Sequence, residues 1–352
     1  MRLMSLQEFY VEGGQRATLS ELKHTGKMIE GAAPSYDLIR IYTTQKPLGV
    51  GSTGTVYHAK LLNSHSPKFF RNVVVKFPNT LLDNGHIKIE PNGKVSITQA
   101  QTNKDKRLFH EAIEDLEIEF HNGFLLREGA EMMATGIADP AGVKIRESEL
   151  KWQVTHPPGY FNIHNLLDMD PTVPCLISAF FETALLLWAR DANPSPLMIS
   201  SHVVPQIRAG LHYMHHVGHL AHMDIKPYNM LCSHTEHGLH VVLCDFGATT
   251  SINTPGQNPA GTVGYMAPEV EQRGVKSADY QEGYSPLYAD AYSYAVSVLH
   301  LLHPHVPCET VDDQPKMLGR ILKLSRPGQL TEIVNEKKPA RRYALFTAQH
   351  YL

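Results

Sequence analysis

Cysteine is scarce in this chain, and its four cysteines are widely spaced. They are Cys175, Cys232, Cys244 and Cys308, and none of them forms a CxxC pair. The sequence therefore gives no sign of a disulfide framework. Two of these cysteines lie in hydrophobic, strand-like runs, so we predict buried, reduced thiols in a cytosol-type compartment.

Long apolar runs are also missing. The run from Ala184 to Ala189 is among the longest, and it falls far short of the ~20 residues that a helix needs to cross a bilayer. The first residues, Met1 to Glu8, lack the apolar core of a Sec-type signal peptide. We expect no transmembrane segment and a cytoplasmic location.

Charge of either sign is not in large excess, because the formal net charge is −3 at pH 7. A protein that binds nucleic acid or an anionic membrane through bulk electrostatics usually carries a strong positive charge. We therefore expect neither of these partners. The oligomeric state cannot be inferred from this composition.

The chain is long enough for two packed lobes, since it has 352 residues, 42% of them hydrophobic. We predict an extension of short helices and turns over residues 1–42, a first lobe over 43–182 and a second over 183–352. Strand patterns dominate the first lobe, which has one main helix, and helical patterns dominate the second. The predicted fold class is α+β with two lobes.

A glycine-rich stretch opens the first lobe in the pattern G-x-G-x-x-G-x-V. Glycine lets backbone N–H groups approach phosphate oxygens without a Cβ in the way. The chain continues as a strand and then reaches the run Val73 to Phe77, which contains Lys76. A dinucleotide fold would instead open a helix here, so the pattern favours a flap over a triphosphate. The residues of the predicted flap are Leu48, Gly49, Val50, Gly51, Ser52, Thr53, Gly54, Thr55 and Val56.

Two further elements are predicted in the first lobe. Residues 86–98 alternate apolar and polar side chains around Asn92-Gly93, which predicts a β-hairpin insertion. The segment from Lys104 to about Met133 has helical periodicity. Residues 140–172 are rich in proline and glycine, and we predict an irregular connection there.

The helical segment carries several glutamates, one of which could pair with Lys76. Glu117 lies next to the apolar stripe predicted from Phe109, Ile113, Leu116, Phe120 and Phe124, so it is our choice. Glu114 and Glu119 remain alternatives.

The second lobe carries the chemistry, in the stretch from His222 to Asn229. Asp224 can accept or orient a hydroxyl proton, and Lys226 can place a compact cation on a transferring phosphate. Asn229 and Asp245 offer the hard oxygen ligands that Mg²⁺ prefers. The strand-like runs between Asn229 and Asp245 predict a hairpin that brings these two side chains together.

These motifs resemble those of eukaryotic-type protein kinases, most closely the serine/threonine class. The resemblance covers about residues 43–345 and rests on motifs in the family's order. They are Gly49-x-Gly51-x-x-Gly54-x-Val56, Lys76, His222-x-Asp224-x-Lys226-Pro227-x-Asn229, Asp245-Phe246-Gly247, Gly261 to Glu269, Asp290-Ala291-Tyr292-Ser293, and Pro339-Ala340-Arg341-Arg342.

The resemblance implies ATP and Mg²⁺ as cofactors and a protein substrate with a serine or threonine acceptor. It implies that Lys76 contacts the α and β phosphates, that Asp224 is the catalytic base, and that Asn229 and Asp245 hold magnesium. Asp290 resembles the family's buried aspartate on the long helix of the second lobe. Autophosphorylation is expected, with Thr249, Thr250, Ser251 and Thr254 as candidate acceptors.

One residue departs from the family pattern. Met223 stands where an arginine usually precedes the catalytic aspartate, so the chain has the non-RD form. That arginine normally receives a phosphate from the activation loop through paired hydrogen bonds. Methionine cannot do this, and we expect activity that does not depend on a phosphate docked at this point.

Three alternatives stay open. The chain could be a pseudokinase scaffold that binds nucleotide, or a small-molecule kinase of related architecture. The histidines His212, His215, His216, His219 and His222 also suggest a metal-dependent hydrolase, because two pairs are spaced i,i+4. Compact kinases with shortened second lobes also occur among pathogen proteins delivered into host cells, and the sequence does not decide this.

Overall fold

A computed structural model describes residues 9–10, 16–17, 35–36, 39–42, 46–61, 72–134, 159–170, 173–235, 238–271, 283–308 and 312–324. Most of the predicted extension lies outside these residues, as do the first part of the predicted connection over 140–172 and the segment from Pro339 to Arg342. The chain forms two compact units. The first comprises Met1–Phe124 and His164–Phe180, and the second Leu125–Ile163 and Phe181–Leu352. The predicted lobe limits differ chiefly in placing residues 125–163 in the first lobe.

Strands dominate the first unit. They are β1 Phe9–Tyr10, β2 Arg16–Ala17, β3 Ser35–Tyr36, β4 Ile39–Ile41, β5 Gly49–Val50, β6 Gly54–Leu61, β7 Asn72–Pro78, β8 Ile87–Ile89, β9 Val95–Ile97, β10 Leu166–Asp170 and β11 Cys175–Ala179. The described parts of residues 1–42 thus contain short strands, and the helices predicted there are not seen in those parts.

The main sheet has the order β10-β11-β7-β6-β4, and β5 pairs with β6 at one end. Its central strand β7 contains three consecutive valines, which favour extended backbone, and it ends at Pro78, which has no N–H to donate. Register places Lys76 opposite Val56 of β6 and Leu176 of β11. The lysine is thereby fixed in the middle of a sheet. Strand β10 was missed because proline and glycine around it favoured an irregular connection.

The predicted hairpin is confirmed, because β8 and β9 pair antiparallel around the predicted turn. It is not a loosely attached insertion, since Ile87, Val95 and Ile97 are buried in the same cluster as Val73 and Val75 of β7. Burying each such side chain contributes about 1.5–3 kcal/mol. The hairpin is therefore part of the core of the first unit.

Two helices follow strands of this unit: α1 Asn79–Asp83 and α2 Asn103–Ala134. The predicted helix from Lys104 to about Met133 is thus confirmed. Its start is fixed by Thr102 and Asp105, which exchange hydrogen bonds between backbone N–H and side-chain oxygen at 3.0 and 3.1 Å. This reciprocal arrangement satisfies amides that have no partner inside the helix.

The second unit is mainly helical. Its helices are α3 Leu185–Ala192, α4 Pro196–Met198, α5 Val204–His216, α6 Pro268–Glu271, α7 Pro286–Leu302 and α8 Gln314–Leu324. Its strands are β12 Thr183–Ala184, β13 Leu220–Ala221, β14 Met230–Thr235, β15 Gly238–Leu243 and β16 Thr250–Ser251. A sheet-rich unit and a mainly helical one confirm the predicted fold class. None of the described helices combines the length and apolar character needed to span a bilayer.

The four cysteines are all buried and free, as predicted. They lie in strands or loops of both units and make no disulfide. Burial raises the pKa of Cys232 to about 12, which keeps this thiol protonated at neutral pH.

Candidate active site

A buried aspartate on α7 anchors the stretch that carries the candidate catalytic residues. Asp290 is fully buried, and its carboxylate accepts hydrogen bonds from the backbone N–H groups of His222 and Met223, both at 2.7 Å. Nε2 of His215 on α5 lies 2.8 Å from the same carboxylate. The aspartate therefore holds the backbone immediately before Asp224 in place, as expected from its resemblance to the family's buried aspartate.

His222 joins this stretch to the segment that precedes Asp245. Its Nε2 lies 2.9 Å from the carbonyl oxygen of Cys244, and its Nδ1 accepts from the backbone N–H of Asp224 at 3.3 Å. This network assigns the proton to Nε2. The side chain is fully buried beside the ring of Phe246, so His222 packs and hydrogen-bonds within this segment.

Asp224 is the centre of a dense polar network. Its Oδ2 accepts from Nζ of Lys226 at 2.7 Å, and its Oδ1 accepts from the Thr262 hydroxyl at 2.7 Å. Nζ of Lys226 also donates to the Thr262 oxygen at 2.7 Å. The three side chains close a triangle that fixes the carboxylate, which still remains 14% exposed. A carboxylate that is oriented by neighbours and open to solvent can receive a hydroxyl group.

Asn229 extends this network toward the candidate metal ligands. Its Nδ2 donates to both the backbone oxygen and Oδ2 of Asp224, each at 2.9 Å, which leaves Oδ1 as the atom that can ligate a cation. The hairpin of β14 and β15 pairs Met230 with Leu243, and Cys244 N–H donates to the Asn229 oxygen at 3.0 Å. The predicted hairpin is thus confirmed, and it brings Asn229 close to the segment that bears Asp245.

Asp245 has left-handed backbone, with φ at 69°, and opens the short 3₁₀ turn Phe246–Ala248. Phe246 is fully buried, whereas Asp245 is half-buried. With Phe246 buried, Asp245 lies nearer the surface of its unit. The amide oxygen of Asn229 and the carboxylate of Asp245 form a hard oxygen donor set, which fits Mg²⁺.

Lys76 has a partner within the first unit, and it is not the one we chose. Its Nζ lies 2.7 Å from Oε2 of Glu119, and the two side chains are only 15% and 7% exposed. Glu117 is exposed, so its selection was wrong. The buried face of α2 contains Ala112, Leu116 and Glu119. It is displaced by about one residue from the predicted apolar stripe. Glu119 was one of the alternatives left open.

The predicted flap residues lie where β5 turns into β6. Gly49 pairs with Val56 and Val50 with Thr55, so the glycines occupy a tight antiparallel turn. Leu48 and residues 49–53 are exposed, with Val50 74% exposed, whereas Gly54 is buried. The side chain of Asn79, at the start of α1, contacts this turn. Sequence reasoning missed that contact, because nothing in the spacing of Asn79 marks it.

Met223 lies in an apolar cluster instead of offering a charge. It is 4% exposed and packs in a cluster with Ala221, Ala267, Val270, Tyr284 and Ala289. Its backbone has φ at 67°, and Gly261 lies against it. A Cβ on Gly261 would be 2.6 Å from the Met223 oxygen, and its own φ of 109° also requires glycine.

The remaining histidines give the hydrolase alternative no support. No group of three or more histidine, cysteine, aspartate or glutamate side chains is arranged to hold a metal ion within the described residues. The rings of His212 and His216 are exposed and 4.3 Å apart. Burial, followed by the charge of neighbouring histidines, lowers the pKa of His216.

Glu269 is half-buried, and its Oε1 has no hydrogen-bond partner among the described residues. Burial raises the pKa of this carboxyl. The resemblance to protein kinases implies that this glutamate pairs with Arg342 of the Pro-x-x-Arg motif, which lies outside the residues that the structure describes.

Comparison with known proteins agrees with this geometry. The family model of the protein kinase domain matches residues 182–344. Mitogen-activated protein kinase kinase kinase 7 of Drosophila melanogaster is 31% identical over 128 residues, which are 36% of this chain and 17% of that protein. Human receptor-interacting serine/threonine-protein kinase 3 is 34% identical over 110 residues, 29% of this chain and 20% of the relative.

A third relative is MAP kinase-interacting serine/threonine-protein kinase 1 of Xenopus laevis. It is 36% identical over 93 residues, which are 24% of this chain and 22% of that protein. The chain thus spans about a fifth of the length of each of these relatives. These matches show that residues 182–344 are similar to a protein kinase domain, and that parts of the chain are similar to serine/threonine kinases.

Proposed function

We propose that the chain transfers the γ-phosphate of Mg-ATP to serine or threonine hydroxyls of protein substrates. The observation that carries this proposal is the closed network of Asp224, Lys226, Thr262 and Asn229. It fixes a carboxylate beside a cation, which is the pair needed to orient a hydroxyl and to stabilise charge on a phosphoryl group.

In the second unit, Asp224 accepts the hydrogen bond of the acceptor hydroxyl and receives its proton as the hydroxyl oxygen bonds to the γ-phosphorus. The bond from that phosphorus to the β–γ bridging oxygen breaks, and ADP leaves. Lys226 keeps the carboxylate oriented and places positive charge next to it. Thr262 holds the opposite carboxylate oxygen. A positioned general base contributes about 10²- to 10⁴-fold to such a reaction.

Asn229 and Asp245 are the residues we propose to hold magnesium. When bound, Mg²⁺ would supply positive charge to offset the negative charge that develops on the phosphate oxygens. The fit rests on the oxygen donors and on the Asn229 amide, whose nitrogen is already committed to Asp224.

In the first unit, we propose that Lys76 contacts the α and β phosphates of ATP and that the turn from Gly49 to Gly54 covers the phosphates. Glu119 holds the Lys76 ammonium in one position. The orientation of Lys76 is therefore set within this unit, independently of any ligand.

Autophosphorylation is part of this proposal, and burial favours one of the candidate acceptors. Thr254 is exposed, whereas Thr250 and Ser251 are half-buried in the strand that pairs with β13. An acceptor hydroxyl must reach an active site, so we propose Thr254 as the preferred one. The cytoplasmic location also stays a proposal, supported by the free thiols.

The test is a survey of acceptors with ATP labelled at the γ-phosphate. Purified protein is offered serine, threonine and tyrosine peptides and, separately, small alcohols. Label on serine and threonine peptides supports the proposal. Label on small alcohols alone would show a small-molecule kinase, and nucleotide binding without transfer to any acceptor would show a scaffold.

A further inference from the structure

The glycine-rich turn between β5 and β6 is held by the side chain of Asn79, the first residue of α1. A turn with glycine at positions 49, 51 and 54 has wide conformational freedom, and fixing it costs entropy. Its own backbone provides a hydrogen bond from Gly51 N–H to the Gly54 oxygen, at 2.9 Å. Asn79 provides further hydrogen bonds to the turn.

Asn79 uses both ends of its carboxamide on this turn. Nδ2 donates to the backbone oxygen of Gly51 at 2.7 Å and to that of Ser52 at 3.4 Å. Oδ1 accepts from the hydroxyl of Thr55 at 2.7 Å. Thr55 is only 7% exposed, so this hydroxyl is shielded from competing water. The carboxamide thus links the turn to the start of β6.

The backbone of Asn79 adds a further contact. As the first residue of α1, its N–H has no partner inside the helix, and it donates to the Thr53 oxygen at 3.1 Å. Asn79 therefore forms hydrogen bonds with four residues: Gly51, Ser52, Thr53 and Thr55. It forms none with Gly54.

Gly54 is fixed in a different way, by close packing on Lys76. A Cβ at position 54 would lie 2.8 Å from the Phe77 oxygen and 2.9 Å from Cγ of Lys76. The turn therefore rests directly on the stem of the lysine. Strand β7 supplies Lys76, and three residues later the chain supplies Asn79, so one segment sets both the lysine and the turn.

We propose that Asn79 is a positioning residue that preorganises the glycine-rich turn for the phosphates of the nucleotide. Binding then requires less ordering of the turn, because the ordering is present before the nucleotide arrives. This inference rests on the proposed function, since it concerns the same nucleotide. The role is expressed in affinity and not in the chemical step, because Asn79 bonds to the turn and to no candidate catalytic residue.

The experiment compares Asn79→Ala and Thr55→Val with the wild type and with Asn84→Ala. Asn84 is a matched control, since it is exposed at the other end of α1 and its side chain donates to the Thr80 oxygen, away from the turn. Three quantities are measured: KM for ATP against kcat, the dissociation constant of a fluorescent ATP analogue, and hydrogen exchange of residues 51–55 without nucleotide.

Removing the two or three bonds of the side chain is expected to raise KM and the dissociation constant about 5- to 50-fold in Asn79→Ala. Thr55→Val loses one bond and is expected to show a smaller rise. In both variants kcat stays within about twofold, and exchange at residues 51–55 becomes faster. Asn84→Ala should match the wild type in all three measurements.

Two failures are distinguishable. If the wild type binds ATP but Asn79→Ala keeps the same KM and exchange rates, the positioning role is overturned and the proposed function stands. If the wild type neither binds nor uses ATP, the proposed function fails, and the role of Asn79 toward a nucleotide fails with it. A lower kcat with an unchanged KM in Asn79→Ala would also contradict the proposal.

Discussion

Glu119 and Glu117 lie two residues apart on α2 and should respond very differently to the same substitution. Glu119 pairs with Lys76 at 2.7 Å in a largely buried setting, whereas Glu117 is exposed. Glu119→Gln keeps the shape of the side chain and removes its charge. Glu117→Gln is the matched control.

The magnitude follows from the burial of the pair. Removing one partner of a buried ion pair costs about 3–5 kcal/mol, because the other charge stays buried and unpaired. Glutamine retains an acceptor for the lysine, so Glu119→Gln should cost less. The expected loss in the free energy of unfolding is the difference between a charged and a neutral hydrogen bond, about 1–2 kcal/mol. Glu117→Gln should change the free energy of unfolding by less than about 0.5 kcal/mol.

Urea unfolding and kcat/KM for ATP provide the two assays. A loss of 1–2 kcal/mol in positioning Lys76 corresponds to about a 5- to 30-fold drop in kcat/KM for Glu119→Gln. A double-mutant cycle with Lys76→Met should give a coupling energy of about 1 kcal/mol or more. Equal effects of the two glutamates, or a coupling energy near zero, would refute the reasoning.

Three further predictions concern anchoring, regulation and pH. Asp290→Ala leaves two buried backbone N–H groups and His215 without their acceptor, so the free energy of unfolding in urea should fall by about 3–6 kcal/mol, and by roughly half as much for Asp290→Asn. Because Met223 is packed in an apolar cluster and has no charge to receive a phosphate, phosphatase-treated protein should keep its transfer rate, and Met223→Arg should lower the melting temperature. Burial lowers the pKa of His164 to about 4, so the unfolded state takes up a proton more readily than the folded state. The free energy of unfolding should therefore decline by roughly 3 kcal/mol as pH falls from 6.5 toward 4. His164→Gln should remove this component of the pH dependence.

Each of these predictions has a control and a contradicting result. Asp191→Ala, at an exposed position of α3, should leave unfolding unchanged, and Asp290→Ala as stable as the wild type would contradict the anchoring role. Phosphatase-treated protein that loses activity and regains it on rephosphorylation of the loop would contradict the role of Met223. His121 is exposed, so His121→Gln should keep the pH dependence of the wild type.

Local patterns in the sequence were sufficient to predict most of the fold. The alternation around Asn92-Gly93 predicted the hairpin, and helical periodicity predicted α2, since both follow from the direction of successive side chains. The irregular connection over 140–172 was wrong at β10, because a strand added by long-range pairing with β11 leaves little local signal. Tertiary pairing overrode composition there.

The site was predictable to different degrees. Asp224, Lys226 and Asn229 stood out by their spacing in one short motif, and direct hydrogen bonds join them. Thr262 completes the network from 36–38 residues away, and spacing does not indicate that contact. The choice among the glutamates of α2 was not predictable, because a shift of one or two residues on a helix rotates a side chain by 100–200°.

The roles of Asn79 and His215 could not be predicted from motifs, for another reason. Their contacts join segments that are distant in sequence, since Asn79 meets a turn 24–28 residues away and His215 meets Asp290 75 residues away. Only the packed structure determines which polar groups such side chains reach.

The most direct test of the central claim is the rate of phosphate transfer from labelled ATP by Asp224→Asn, measured together with ATP binding. Asparagine preserves the size of the side chain and removes its ability to take a proton. We predict ATP binding within a few-fold of the wild type and transfer to a serine or threonine peptide slower by about 10²- to 10⁴-fold, while Asp191→Asn matches the wild type. Transfer by Asp224→Asn at the wild-type rate would contradict the account.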